Sequence, residues 1–327
     1  MSPPDARAHA LDLLVIGDCN PDVLVLGDDV TPEFGQQEKL VDGISLVIGG
    51  SAAITTVAAA RLGLRVALAA AVGDDPAGRF MLGQLAQEGV DTSAVAVRRD
   101  TPTGMTVALA EGKDRAILTA TGAMATLTAR DVPASLLTAA RHVHVSSYFL
   151  MERSLGPGLA ALLEAARASG ARTSLDTNWD PAQRWGDGSL RAALAATDLL
   201  LPNATEALRL SGAATLAEAM SVLGPGLVIK LGAHGALWAE GARRCHATPP
   251  AVRPADATGA GDCFNAGVIT GLLGGLDLAG AVALGCAAGA ASTQAPGGTA
   301  SCPDLATAQA LARGVTVGPA EPDLLGD

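Results

Sequence analysis

Lysine is scarce in this chain: only Lys39, Lys113 and Lys230 occur among its 22 basic residues, against 33 acidic ones, for a net charge of −11. That balance excludes the basic stripe that nucleic acid requires, so no nucleic-acid partner is expected. An acidic protein that binds a polyphosphate must create its positive field locally, from helix ends, a metal ion and a few cations. Aromatic residues make up 2% of the chain, so an extended stacking surface is not expected. The five cysteines (19, 245, 263, 286 and 302) contain no C-x-x-C pair, and the five histidines no H-E-x-x-H. A dedicated zinc site is thereby excluded and the cysteines read as free thiols. The long uncharged stretches, 263–276 and 278–303, are separated by Asp277 and rich in Gly and Ala; they read as packed helices, and no membrane partner is expected. Residues 1–10 are polar and hold two prolines, unlike a signal peptide, so the expected location is the cytoplasm. There is no Walker A sequence, because no Lys follows a suitable Gly. A dinucleotide fingerprint is missing too, because Phe264 stands where its third Gly belongs.

What the chain does have is 327 residues that are 49% hydrophobic, with 39 glycines, enough for a large core. Its most informative stretch is Asp256-Ala257-Thr258-Gly259-Ala260-Gly261-Asp262, just ahead of a helix-compatible apolar segment, 263–273. A helix start presents unpaired N–H groups and partial positive charge, and glycines let that backbone approach a phosphate. A carboxylate repels phosphate, so binding alone does not account for Asp262. It suits a base that takes a proton from an attacking hydroxyl, and cradle plus base reads as phosphoryl transfer to an alcohol. An ordinary Gly-rich turn with Asp262 as a helix cap is the competing reading of these seven residues.

Short β-rich runs at 13–16, 66–71, 142–146, 172–176, 199–201 and 227–230 alternate with helical stretches at 51–62, 76–87, 155–168, 190–195 and 216–223. This alternation predicts a mostly parallel sheet with helices on both faces and ligands at the carboxyl ends of the strands. Two segments, about 23–48 and 97–118, break the pattern. They are strand-like and turn-rich, and predict a small β-lid over the sheet edge. The predicted organisation is one domain, 1–312, with a frayed Pro/Gly/Asp-rich tail, 313–327.

Several segments together resemble the ribokinase-like (PfkB) carbohydrate kinases, over roughly residues 11–312. Residues 256–262 look like that family's C-terminal signature. Gly49-Gly50-Ser51, with Val57-Ala58-Ala59-Ala60-Arg61-Leu62-Gly63 and Val72-Gly73-Asp74-Asp75-Pro76-Ala77-Gly78, looks like its N-terminal one. Gly17-Asp18-Cys19-Asn20-Pro21-Asp22 resembles the exit of the first strand, and Asn203-Ala204-Thr205-Glu206 the N-x-x-E element. The resemblance implies a three-layer α/β sandwich with a β-lid and an ATP- and Mg²⁺-dependent kinase. It makes Asp262 the base and the N–H groups of Gly259, Ala260 and Gly261 the anion hole. Asn20, Asp22, Gly49, Gly50, Ser51 and Ile54 would line the acceptor site. Asn203, Lys230, Gly232, Gly235 and Thr258 would lie along the nucleotide. Glu206 and Asn203 would act on Mg²⁺ through water, with Asp256 a candidate K⁺ contributor beside the Gly297-Gly298 turn. Asn20-Pro21-Asp22 is also a good turn, and Asn203 to Glu206 a good capping box.

The chain departs from the family pattern at three points. Ser51 and Ile54 occupy positions where many relatives carry Asn, which predicts an acceptor with fewer hydroxyls or an apolar face. Asp180, in Asp176-Thr177-Asn178-Trp179-Asp180, replaces an Arg that often binds a phosphate or carboxylate. Ala257 replaces a common Thr, a mild change. The expected reaction is phosphorylation of a hydroxyl on a small sugar or sugar-like alcohol. The alternatives are a nucleoside kinase, with Tyr148, Phe149 and Phe34 as stacking groups, and a non-catalytic sugar or nucleotide sensor. The lid edges also suggest a homodimer.

Overall fold

The computed structural model describes residues 10–111, 114–186, 188–224 and 226–326. Six strands form the central sheet: β1 (Leu11–Ile16), β4 (Val66–Gly73), β5 (Val95–Arg98), β8 (Ala140–Ser146), β9 (Arg172–Asp176) and β10 (Leu199–Leu200). Their order is β10-β9-β8-β1-β4-β5 and every pairing is parallel. Alternate residues of β1 enter opposite layers. Leu13 and Val15 pack with α1 (Ser51–Arg61), α2 (Pro76–Gln87), α8 (Ala260–Leu273) and α9 (Leu278–Ser292). Leu14 and Ile16 pack with α3 (Ala134–Ala139), α4 (Tyr148–Ala168), α5 (Gly188–Ala195) and α7 (Leu216–Leu223). This is why β1 is apolar at almost every position: a parallel strand covered on both faces has no solvent side. The remaining helices are α6 (Ala204–Ser211), α10 (Leu305–Ala312) and α11 (Pro322–Leu325).

The chain winds outward from β1 through β4 to β5, then returns to the other side of β1 at β8 and continues through β9 and β10. The reversal lies between β1 and β8, so a crevice opens at their carboxyl ends. The small sheet stands beside it, with β2 (Asn20–Leu26), β3 (Gly43–Gly49), β6 (Met105–Glu111) and β7 (Asp114–Ala120) in the order β3-β2-β6-β7. A third sheet, β11 (Val228–Lys230), β12 (Ala236–Glu240), β13 (Arg243–Thr248) and β14 (Thr316–Pro319), is antiparallel. Parallel bridges Leu200↔Leu227 and Asn203↔Lys230 join it to β10.

The expected fold class stands, with two corrections. The segment beginning at residue 97 starts too early, because β5 belongs to the central sheet; residues 112 and 113 of it lie outside the described residues. The tail after Arg313 does not fray: β14 pairs along β13, and Leu325 is buried. Backbone pairing and one apolar anchor outweigh its Pro/Gly/Asp composition.

Candidate active site

Two helix starts meet at the crevice. Gly50 (φ 82°) begins α1, and Gly259 (φ 72°) begins α8. Gly259 has no room for a side chain, since a Cβ there would lie 2.7 Å from the Gly298 Cα. The left-handed turn and this close contact with the Gly297-Gly298 loop make glycine obligatory. Ala260, Gly261 and Asp262 then form the first turn of α8, whose N–H groups lack carbonyls four residues back. The Ala260 N–H reaches the Ala257 carbonyl at 3.3 Å. Asp256 fastens this turn: one carboxylate oxygen accepts from the Thr258 N–H and hydroxyl at 2.8 and 2.7 Å, and the other from the Gly297 N–H at 2.8 Å. Thr258 is thus tied into the turn.

Asp262 is buried, and its carboxyl is held well above the usual range, first by burial and then by the charge of Asp176, with Lys230 opposing. Lys230 forms an ion pair with Asp176, at the end of β9. Asn265, one turn beyond Asp262, donates to the same Asp176 oxygen at 2.7 Å.

On the acceptor side, Asn20 and Gly49 are register partners across β2 and β3. Asp22 packs directly over Gly49, where a Cβ would stand 1.9 Å from its Oδ1. Asn20 donates to Asp22 at 3.0 Å and to Thr106 at 3.1 Å. Asp18 accepts from the Ser51 and Ala52 N–H groups at 3.1 and 2.9 Å, so it caps α1 from the end of β1. The Ser51 hydroxyl accepts from Asn178 at 3.0 Å, and Asn178 in turn accepts from the Ser147 N–H at 2.8 Å. Asn178 and Ser147 both have left-handed backbones (φ 55° and 57°), a strain that clusters at sites over-determined by their surroundings.

Ile54 is not brought to this cleft. It is 3% exposed, and its side chain lies under Gly259 and Gly298, where added Cβ atoms would stand 3.0 and 2.5 Å from it. One helical turn beyond Ser51 points it at α8. Of the three aromatics considered for stacking, Tyr148 and Phe149 are buried while Phe34 is 95% exposed. Asp180 is also buried, and accepts from the N–H groups of Ala182, Arg184 and Trp185, so it shapes its own loop.

On the third side, Asn203 and Glu206 form a reciprocal capping box at the start of α6. The Glu206 carboxyl is buried and pushed up to about 7, first by burial and then by Asp176. A cavity of about 360 Å³ is lined by Asn203, Thr205, Lys230, Gly232, His234 and Leu324, among others. Gly235 closes the loop from behind: its φ is 89°, and a Cβ would stand 1.8 Å from the Ala247 carbonyl oxygen. No group of three or more His, Cys, Asp or Glu poised to grip a metal directly occurs among the described residues. Nor is any helix there long and apolar enough to cross a membrane.

The model of the pfkB family carbohydrate kinases matches residues 10–305. The chain belongs to that family. Relatives include a ribokinase from Haemophilus influenzae, 30% identical over 304 residues, covering 89% of this chain and 95% of that one. A 2-dehydro-3-deoxygluconokinase from Bacillus subtilis is 31% identical over 287 residues, covering 81% and 86%. Among solved structures, an E. coli protein designated ribokinase II, in complex with ATP and Mg²⁺, superposes with a TM-score of 0.81 at 24% identity, covering 93% and 99%. The chain is therefore a sugar kinase of the PfkB type. Asp18, Ser147, Asp176, Asn178 and Asn265 line the same crevice; Asp18, Asp176 and Asn178 lie in motif segments of the sequence, whereas Ser147 and Asn265 carry no signal there.

Proposed function

We propose that the protein transfers the γ-phosphoryl group of ATP to a hydroxyl of a small sugar or sugar-like alcohol, with Asp262 as the base. The observation that carries this reading is Asp262 itself: a buried carboxyl with a raised proton affinity, in the first turn of α8, beside N–H groups that suit a phosphate. Asn20 and Asp22 would orient the acceptor. The hydroxyl proton passes to Asp262 as the oxygen attacks, and the N–H groups of Gly259, Ala260 and Gly261 take up the charge that develops on the phosphoryl group. The cavity beyond Lys230 would take the rest of the nucleotide, with Gly232 and Gly235 shaping its loop and Thr258 bracing the phosphate turn. The residues fit a hydrated divalent ion: the buried carboxyl of Glu206 stands at the start of α6 beside the cavity, and among the described residues no group of three His, Cys, Asp or Glu would grip the ion directly. Asn203 and Glu206 would hold its water shell. Mg²⁺ supplies charge neutralisation to the polyphosphate when bound. A K⁺ site at Asp256 would brace the same turn, and comparison of rates in K⁺ and Na⁺ tests it.

The small sheet would act as the lid. Val47, Asp22, Thr106 and Thr119 are register neighbours in a row that includes the acceptor carboxylate. The neighbouring row is Leu46, Val23, Val107 and Leu118, with Leu46 45% and Leu118 65% exposed. A second copy of the chain is the partner we assign to that apolar face. Tyr148 and Phe149 are buried and so withdrawn from stacking, which favours a sugar over a nucleoside. Incubation with ATP, Mg²⁺ and, separately, ribose, fructose, adenosine and a deoxy-sugar tests the reading. ADP release with a sugar supports it, adenosine as sole acceptor makes the protein a nucleoside kinase, and binding without turnover makes it a sensor.

A further inference from the structure

Lys230 is one of three lysines, and it is spent on a buried position: its side chain is 12% exposed, and that of its partner Asp176 1%. Burying an ion pair costs several kcal/mol per ion in desolvation unless every donor and acceptor is met. Here the catalytic helix meets part of that need, and the ammonium keeps a further N–H donor. Asn265 donates to Asp176 at 2.7 Å, and its own oxygen lies 3.4 Å from the Lys230 ammonium. Asn265 sits three residues after Asp262, on the same face of α8. The three atoms nearest a Cβ built on Gly261 are Lys230 Nζ, Cδ and Cε, at 3.6–3.8 Å. The ammonium therefore lies at the second residue of α8, where the phosphate cradle opens. The charged neighbours of Asp262 are Asp176, Lys230 and Asp18, from β9, β11 and the exit of β1. Lys230 is the cation among them, and the carboxylates of Asp176 and Glu206 keep it protonated against the effect of burial.

We propose that Lys230 is a catalytic cation at the transferring phosphoryl group, and that Asp176 and Asn265 are positioning residues that hold it against the anion hole. This rests on the phosphotransfer reading above. In the step, the acceptor oxygen forms its bond to the γ-phosphorus. The bond from that phosphorus to the bridging oxygen breaks, and ADP leaves with the electron pair. The acceptor proton goes to an Asp262 oxygen. Lys230 keeps its proton throughout and acts only through its charge and N–H donors. A compact ammonium suits a phosphate as a point charge, and in so acidic a chain it supplies locally what net charge cannot. A preorganised donor of this kind contributes roughly 10²–10³ in kcat.

The competing role is that of a counter-ion for Asp176, and the double variant Lys230→Met/Asp176→Asn separates the two. It removes both charges, so a thermal midpoint near that of the wild type is expected. As a catalytic cation, Lys230 should then be missed in turnover, with kcat down roughly 10²–10³-fold and the acceptor KM little changed. A double variant within about threefold of wild-type kcat overturns the assignment. The single variants give a second readout, taken at a temperature where both are folded. Lys230→Met should lose at least tenfold more kcat than Asp176→Asn, which leaves the ammonium in place. Equal losses overturn the proposal as well. A wild-type protein that releases no ADP with any acceptor defeats the kinase reading and this assignment together. An active wild type with an equally active double variant defeats this assignment alone.

Discussion

The central sheet and the small sheet are built from the same aliphatic residues, yet they finish differently. In β1, alternate side chains enter two helical layers and all are buried. In β2 and its neighbours, alternation places a row containing Asp22, Thr106 and Thr119 on one face and Leu46, Val23, Val107 and Leu118 on the other. The first sheet is a completed wall whose carboxyl edge fixes Asp18 and Asp176. The second is covered on one side only, so its position depends on what binds beneath it and what docks outside. Catalytic power should therefore reside in groups held by the wall, and selectivity in groups held by the small sheet.

The sharpest test of that division is Asp262→Asn. The variant should keep its fold and ATP binding while kcat drops roughly 10²–10⁴-fold. Retention of more than about a third of wild-type kcat would show that the base lies elsewhere. Next in size is Asp22→Ala on the small sheet. Loss of charge-assisted bonds should weaken acceptor binding by about 2 kcal/mol, near thirtyfold in kcat/KM, with the ATP KM unaffected. Equal damage to both substrates would mean that the small sheet is structurally inseparable from the wall.

A smaller effect concerns the wall alone. His142 and His144 on β8 are linked through Ser174 at 2.7 Å each. Burial lowers their folded values to about 3 and about 4 from 6.5. Both are neutral in the fold, so their contribution to stability is whole above pH 6.5 and is lost as the pH falls towards 4. At pH 6 the loss is about 1 kcal/mol per histidine. Calorimetry at pH 7 and pH 6 should show His144→Asn losing less stability than the wild type over that interval; this difference cancels the opposing drift of the raised carboxyls Asp18, Glu206 and Asp262. Parallel losses in the two proteins would show that His144 does not titrate as described. The smallest effect on rate is expected from Leu46→Asp combined with Leu118→Asp. Sedimentation should shift from dimer to monomer, with kcat changed less than about fivefold. An unchanged sedimentation coefficient would leave the outer face without the partner assigned to it.

Most of the fold was legible because its strands are continuous apolar runs bounded by turn residues, and Asp262 because it follows a glycine-rich helix start in which Gly259 is obligatory. Residues whose meaning depends on another segment were harder to read. Ile54 looked like a pocket residue by position in a motif, but a turn of helix aims it at Gly259 and Gly298, more than 200 residues away in sequence. Asp18 stands at the exit of β1 as its motif suggests, but its role as the cap of α1 depends on a helix more than 30 residues on. Asp75, in the N-terminal signature, caps α2 and also accepts from the Thr103 N–H at 2.7 Å, fastening the chain just before β6. The β12–β13 pair has no clear signal in the sequence, because the glycine turn ahead of it reads equally as a loop. The tail failed for a related reason: composition predicts local freedom, while β14 is held by a partner strand remote in sequence.

That last strand has a consequence for how the molecule comes into being. Cys245 pairs with Pro319, and Thr248 with Thr316, so the sheet that carries Lys230 is completed by residues about 70 positions further along the chain. During synthesis the phosphate turn, Asp262 and both helix starts emerge before the strand that finishes the sheet beside them. A nascent chain is thus expected to hold an assembled acceptor side while β13 still has an open edge, and that edge closes only once the ribosome has passed Pro319.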